Sequence, residues 1–242
     1  MATLHARSAS ATHVGRVREV NEDGVFDRPD LGLWAVADGM GGHGDGDLAS
    51  GAIIEAMAAL SQPTSALEMR REFERQVEAA HRRLHELSAE RGGVVGATLV
   101  ALLRFEAHFA CLWCGDSRAY LYRRGELAQL SHDHSRAQDL VDGGVMSPEE
   151  ARVWRGRNVV TRALGVEGEV ELDMVDGPLA PGDRILLCSD GLTGHVQDSE
   201  IARALGVRGP EEACAALVAL TLERGAEDNV SLIVVAFEEH GL

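Results

Sequence analysis

The 242-residue sequence predicts an α+β fold, and three observations predict it. Short apolar or β-branched runs, bounded by Gly, Asp or Pro, follow one another in blocks. Helical periodicity is confined to stretches that fall between those blocks, as antiparallel pairs. Strict strand–helix–strand alternation, which would signal a parallel sheet, is missing. With 45% hydrophobic residues the chain can bury a sizeable core. No repeat or Pro/Ser-rich linker divides it, so one domain is expected over 1–242, its core at about 7–238.

In chain order, strands are expected at "GLWAVA", "GATLVALLRF", "HFACLWC", "RAYLYRR", "ELAQL", "VELDMV", "DRILLCSD" and "NVSLIVVAF". "RRGEL" reads as a hairpin turn. Two helices are expected after the first strand. One runs from Asp47 to Leu60 behind an Asp cap. In the other, from Thr64 to Arg91, Phe73, Val77, Ala80, Leu84 and Leu87 recur at alternating four and three and define one face. "SPEEARV" opens with a capping box: Ser147 as cap, Pro148 first, Glu150 three residues on. "GPEEACAALVALTLERG" is a further amphipathic helix, closed by Gly225.

Composition narrows the function. The 23 basic and 39 acidic residues give a net charge of −16, which disfavours nucleic acid and anionic membranes as partners. Every one of the 23 is arginine, so there is no P-loop or Schiff-base lysine. The N-terminal "MATLHARSASATHVG" lacks a signal-peptide core. The longest apolar run, "VVGATLVALL", is about half of the ~20 residues a membrane span needs. A cytoplasmic monomer is expected. "CLWC" resembles a zinc or redox motif, but on a strand Cys111 and Cys114 point to opposite faces. With Cys188 and Cys214 they are expected as core thiols.

The chemistry gathers around "ADGMGGHGDGD", a glycine loop that three aspartates make hostile to anions. Four aspartates sit where apolar strands break into small residues: Asp38 in "WAVADG", Asp116 in "LWCGDSR", Asp190 in "LLCSDG" and Asp228 in "AEDNVS". Carboxylates that converge without a basic partner repel one another unless a cation lies between them. Oxygen ligands select Mg²⁺ or Mn²⁺, and two such ions ~3.5–4 Å apart form a hydrolytic clamp on phosphoryl groups. The loop then need not hold the anion itself: Asp38 holds metal, and the metal holds phosphate. Glycine lets the backbone come close, so the Gly39 carbonyl can join the ligands.

In this order, "RVREVNED", "ADGMGGH", "GATLV", "CGDSRAYLYRRGEL", "DHS", "NVVTRALG", "CSDGL" and "EDNVS" resemble the bacterial PP2C-type, metal-dependent (PPM) protein phosphatases, from about Arg7 to Phe237. The resemblance implies a four-layer α-β-β-α sandwich: two antiparallel sheets flanked by pairs of antiparallel helices. It implies hydrolysis of phosphoserine and phosphothreonine in proteins by water that two Mn²⁺ or Mg²⁺ ions activate, reversing a cognate Ser/Thr kinase. Asp38 would bridge both ions, with the Gly39 carbonyl on one, and Asp190 and Asp228 would complete the other. Glu22 and Asp23 would act nearby through metal-bound water, Asp116 with Asp190 would form a third, weaker site, and Asn229 would support the ligands. Arg18, four residues before Glu22, has the spacing of the family's phosphate-gripping arginine, whose guanidinium forks onto two oxygens. Arg16, two residues away on the same strand face, is the alternative. His43 matches the general acid that protonates the departing alkoxide, and His132 and His134 are expected at the edge of a flap.

The sequence departs from the family pattern at Ala97, where Thr or Ser is usual, and at Trp154–Arg155, where many relatives carry His-Pro in the flap. The stretch from "GLWAVADGMGGH" to "DLAS" is similar to stand-alone phosphatases that accompany type VI secretion clusters, so secretion regulators are expected partners. As the chain ends just after "NVSLIVVAF", a free-standing catalytic domain is expected. The competing classes are a silent PP2C-like sensing module and a two-metal nuclease. Retention of all the metal aspartates argues against the first, and the charge of −16 against the second.

Overall fold

The computed structural model describes residues 4–166, 168–207 and 209–239, apart from the side chain of His43. Two sheets form its centre, and every strand pairing in them is antiparallel. One sheet has the order β1 (Leu4–His13), β11 (Val230–Glu239), β10 (Arg184–Cys188), β7 (Arg118–Arg123), β8 (Glu126–Gln129). The other has the order β2 (Asp23–Arg28), β3 (Leu33–Gly41), β5 (Leu99–Phe105), β6 (His108–Cys114), β9 (Asp173–Pro178), with β4 (Val95–Ala97) also on β3.

Strand alternation sorts side chains into three cores. On β3, Trp34 and Val36 face the opposite sheet, where they meet Ile185, Leu187, Ile233, Val235 and Phe237. Leu33, Ala35 and Ala37 face outward, under α1 (Gly46–Ala58) and α2 (Ala66–Arg91). On the far side, Leu186, Leu232 and Val234 lie beneath α5 (Asp190–Thr193), α6 (Asp198–Val207) and α7 (Pro210–Glu223). The result is the expected α-β-β-α sandwich. The α2 stripe is as the periodicity requires: Phe73, Val77, Ala80 and Leu84 are buried and Leu87 packs beside them. Cys111 faces the inter-sheet core and Cys114 the α1–α2 core, so the two thiols share no metal.

Several elements differ from the sequence reading. Strands β1 and β2 were not expected, nor were α6 and the short α3 (Arg136–Asp142). The "GATLVALLRF" strand is interrupted at Thr98, and "VELDMV" enters its sheet only at Asp173. The capping box of α4 (Pro148–Val153) is complete: Ser147 Oγ accepts from Glu150 N, and Ser147 N donates to the Glu150 carboxylate. Residues 14–22 form turns rather than a strand, so Arg16 and Arg18 share no strand face. Arg16 turns away: its Nε donates to Leu222 O (2.7 Å) and its backbone N to Ala226 O (2.9 Å).

Candidate active site

The ends of β3, β6 and β10 and the starts of β2, β7 and β11 lie at one rim of the sandwich. Registers of Asp23 opposite Asp38 and Cys188 opposite both Arg118 and Leu232 align them there. Asp38 and Asp23 therefore face each other across two strands, Asp116 precedes β7, Asp190 follows β10, and Asp228 precedes β11.

The electrostatics record this convergence. Burial first, then the charges of Asp23, Asp190, Asp116 and Asp228, hold the Asp38 carboxyl well above the usual carboxylate range. Burial likewise raises Asp23, against the hydroxyls of Ser231 and Ser189 and with the repulsion of Asp190 and Asp228. Asp116 is raised by burial and by Asp190, and Asp190 by burial and by Asp228. A hydrogen bond with Asp38 partly offsets the rise at Asp190. Arg18 Nη2 lies 2.9 Å from Asp228 Oδ2. Among the described residues, no three His, Cys, Asp or Glu side chains close on a point as a finished coordination shell. The fit to a divalent cation rests on the donor chemistry: crowded carboxylate oxygens whose mutual repulsion a hard cation relieves.

The glycines of the two Asp-Gly pairs are steric requirements. A Cβ on Gly39 would lie 1.9 Å from Gly46 O and 2.5 Å from Glu22 O, and one on Gly191 would lie 1.8 Å from Asn229 O. Asp38 and Asp190 are thus each followed by a point where two backbones touch. Glu22 Oε1 accepts from Gly46 N (3.1 Å), which ties the "NED" turn to the start of α1. Asn229 secures the same turn: its Oδ1 accepts from Glu22 N (2.8 Å), and its Nδ2 donates to Val14 O and Val20 O.

Expected site residues brought together are Arg18, Glu22, Asp23, Asp38, Gly39, Asp116, Asp190, Asp228 and Asn229. The His43 side chain, expected as the general acid, lies outside the described residues. His132 is exposed, its ring on Asp142 (2.7 Å). His134 lies just before α3, and its carbonyl accepts from Thr161 N (2.8 Å). It is buried, stacks on Trp113, accepts from Gly115 N (3.1 Å) and meets Asp173. The neighbouring flap segment holds the Trp154 ring against Gly156, where a Cβ would lie 2.5 Å from it. Ala97 is fully buried between Gly39 and Leu164, a packing position.

Sequence reasoning missed four contributors. Ser189 Oγ donates to Asp23 (2.9 Å), and Arg118 forks onto Asp133 while bonding the Tyr120 hydroxyl. Thr98 and Ser117 join hydroxyls beneath Asp38. The polar residues inside the quoted motifs "CSDG", "GDSR" and "DHS" were the available signal.

Solved serine/threonine phosphatases superpose on this helix-flanked double sheet. PppA, "a key regulatory component of T6SS in Pseudomonas aeruginosa", superposes with a TM-score of 0.91 and 39% identity, covering 98% of this chain and 100% of that one. The catalytic domain of the serine/threonine phosphatase PstP in complex with 2 manganese ions gives 0.89 and 36%, over 98% and 100%. In sequence, Serine/threonine protein phosphatase PstP of Mycobacterium tuberculosis is 38% identical over 236 residues, 96% of this chain but 45% of PstP. The chain thus spans less than half of that relative's length. The Protein phosphatase 2C family matches residues 13–229, and the chain belongs to it.

Proposed function

We propose that the chain is a Mn²⁺- or Mg²⁺-dependent phosphatase, a single domain that hydrolyses phosphoserine and phosphothreonine in proteins and so opposes a Ser/Thr kinase. The observation that carries this is the crowding of Asp23, Asp38, Asp116 and Asp190 at one rim, each holding its proton above the usual range. Divalent ions, when bound there, activate water and neutralise phosphoryl oxygens.

Asp38, the Gly39 carbonyl, Asp190 and Asp228 are the proposed ligands, with Glu22 and Asp23 acting through water and Asp116 with Asp190 holding a weaker third ion. Asn229 holds Glu22 through its Oδ1, and its backbone N donates to Asp228 Oδ1 (2.9 Å). Arg18 grips the phosphate. Its seat beside Asp228, and the turning away of Arg16, support that assignment over the alternative. His43, at the 3-10 turn (Gly42–Gly44) that follows β3, protonates the leaving oxygen. The PppA likeness supports substrates among type VI secretion regulators. Among the described residues no helix is long and apolar enough to cross a membrane, which suits a protein substrate met in the cytoplasm.

The test is phosphopeptide hydrolysis by EDTA-stripped protein before and after Mn²⁺ or Mg²⁺ is restored. Activity should appear only with the ion, and undiminished turnover in excess EDTA would refute the reading.

A further inference from the structure

We propose that Thr98 and Ser117 form a buried hydroxyl relay that sets the spacing between Asp38 and Asp116, and thereby the affinity of the acidic rim for its divalent ions. The inference rests on the metal reading above. Both are positioning residues, since they act through the carboxylates.

Registers of Val36 opposite Val100 and Gly39 opposite Ala97 put Thr98 directly opposite Asp38. Facing residues in a hydrogen-bonded antiparallel pair exchange two backbone bonds. Here only one is made: Thr98 N donates to Asp38 O at 2.8 Å. The Asp38 N–H instead donates to Thr98 Oγ1 at 3.2 Å. A side-chain hydroxyl has replaced a carbonyl, and this is where the strand is broken between β4 and β5.

The same oxygen lies 2.7 Å from Ser117 Oγ. Thr98 is 3% exposed and Ser117 1%, so no water competes for these groups. Having accepted from Asp38, the Thr98 hydroxyl keeps one proton and one lone pair, and Ser117 satisfies one of them. Ser117 follows Asp116 directly.

Shape repeats the connection. Gly115 has φ +115, and a Cβ there would lie 2.6 Å from both Cβ and Cγ2 of Thr98. The turn that presents Asp116 is therefore seated on the side chain that holds the Asp38 peptide. These two carboxylates belong to different strand pairs, and Asp116 is among the charges that raise Asp38. Outer partners that fix such ligands typically change metal affinity 10–100-fold.

The experiment is calorimetric Mn²⁺ titration of EDTA-stripped wild type, Thr98→Val, Thr98→Ser and Ser117→Ala, each first checked by circular dichroism. Thr98→Val keeps the shape and loses the hydroxyl, so Mn²⁺ should bind about tenfold or more weakly. Thr98→Ser keeps the hydroxyl and should stay within about threefold of wild type, the rescue that mere packing would not give. Ser117→Ala spares the Asp38 bond and should fall between them. A folded Thr98→Val with a wild-type isotherm overturns the relay, as does a Thr98→Ser loss equal to that of Thr98→Val. If Thr98→Val does not fold, Ser117→Ala decides, and an unchanged isotherm overturns the relay. Wild type that binds no Mn²⁺ overturns the metal reading and the relay with it. Equal binding by wild type and all variants overturns the relay alone.

Discussion

Gly39→Ala near the end of β3 and Gly42→Ala in the 3-10 turn that follows add the same methyl group, and the structure predicts opposite outcomes. At Gly42 an added Cβ meets nothing within 4 Å. Loss of unfolded-state freedom then makes alanine neutral or up to ~1 kcal/mol stabilising. At Gly39 the methyl would lie 1.9 Å from Gly46 O and 2.5 Å from Glu22 O, both backbone atoms, so both α1 and the "NED" turn must shift relative to β3. Such overpacking costs ~1–3 kcal/mol. The shift also endangers the bonds from Gly39 N to Glu22 O (3.1 Å) and from Gly46 N to Glu22 Oε1 (3.1 Å). At ~1 kcal/mol each, the total is about 3–5 kcal/mol, a large part of a domain's usual ~5–15 kcal/mol. Because the displaced atoms adjoin Asp38, turnover should fall as well. Urea unfolding of both variants measures the stability term, and Mn²⁺-dependent hydrolysis of p-nitrophenyl phosphate measures the site. A Gly39→Ala protein as stable and active as Gly42→Ala would refute the close-approach argument.

Asp190→Asn should abolish turnover while raising the melting temperature of metal-free protein, since it removes a charge that repels Asp38 and Asp116. Each ~1 kcal/mol of relief corresponds to about 2–4 °C in a chain of this size, and wild-type activity in the folded variant would sink the assignment. His81 accepts from Gly165 N (3.1 Å) and, through Nε2–H, donates to Gly168 O (3.1 Å), so it is held neutral, and burial pushes its pKa below the ordinary value. The unfolded chain then takes up the proton more readily: this contribution is complete above about pH 6.5 and is lost as pH falls through the lower folded value. Melting curves from pH 7.5 to 5 should fall less steeply for His81→Gln than for wild type, and parallel curves would refute the linkage. Arg18→Ala should mainly raise KM, because a guanidinium on phosphate acts in ground and transition states alike. His43→Ala should mainly lower kcat on a phosphothreonine peptide, and much less on p-nitrophenyl phosphate, whose phenolate leaves without a proton. An equal loss on both substrates would mean that His43 orients water or metal.

The rim carboxylates were legible in the sequence because they are carried by local punctuation. An apolar strand that breaks into Asp-Gly marks a rim carboxylate wherever it occurs, and the α2 stripe needs only its own period. The division of Cys111 from Cys114 follows from strand geometry alone. What tertiary structure decided lies in residues whose meaning depends on what faces them. Strand β1 is mostly Ala, Ser, Thr, His and Arg with a single large apolar residue, Leu4, so its own propensity is weak. It is a strand because the apolar β11 offers it a full ladder from Leu4–Glu239 to His13–Val230. Arg16 and Arg18 lie two residues apart in one motif, and only the fold gives one a carbonyl of α7 and the other Asp228. His134 is expected at a flap edge from the sequence, and only the fold stacks it on Trp113 and gives it the Gly115 N–H. Thr98 and Ser117 lie 19 residues apart, and no local pattern connects them. A strand's inward polar group finds its partner on another strand, and that partner is chosen by register, which is a property of the folded sheet.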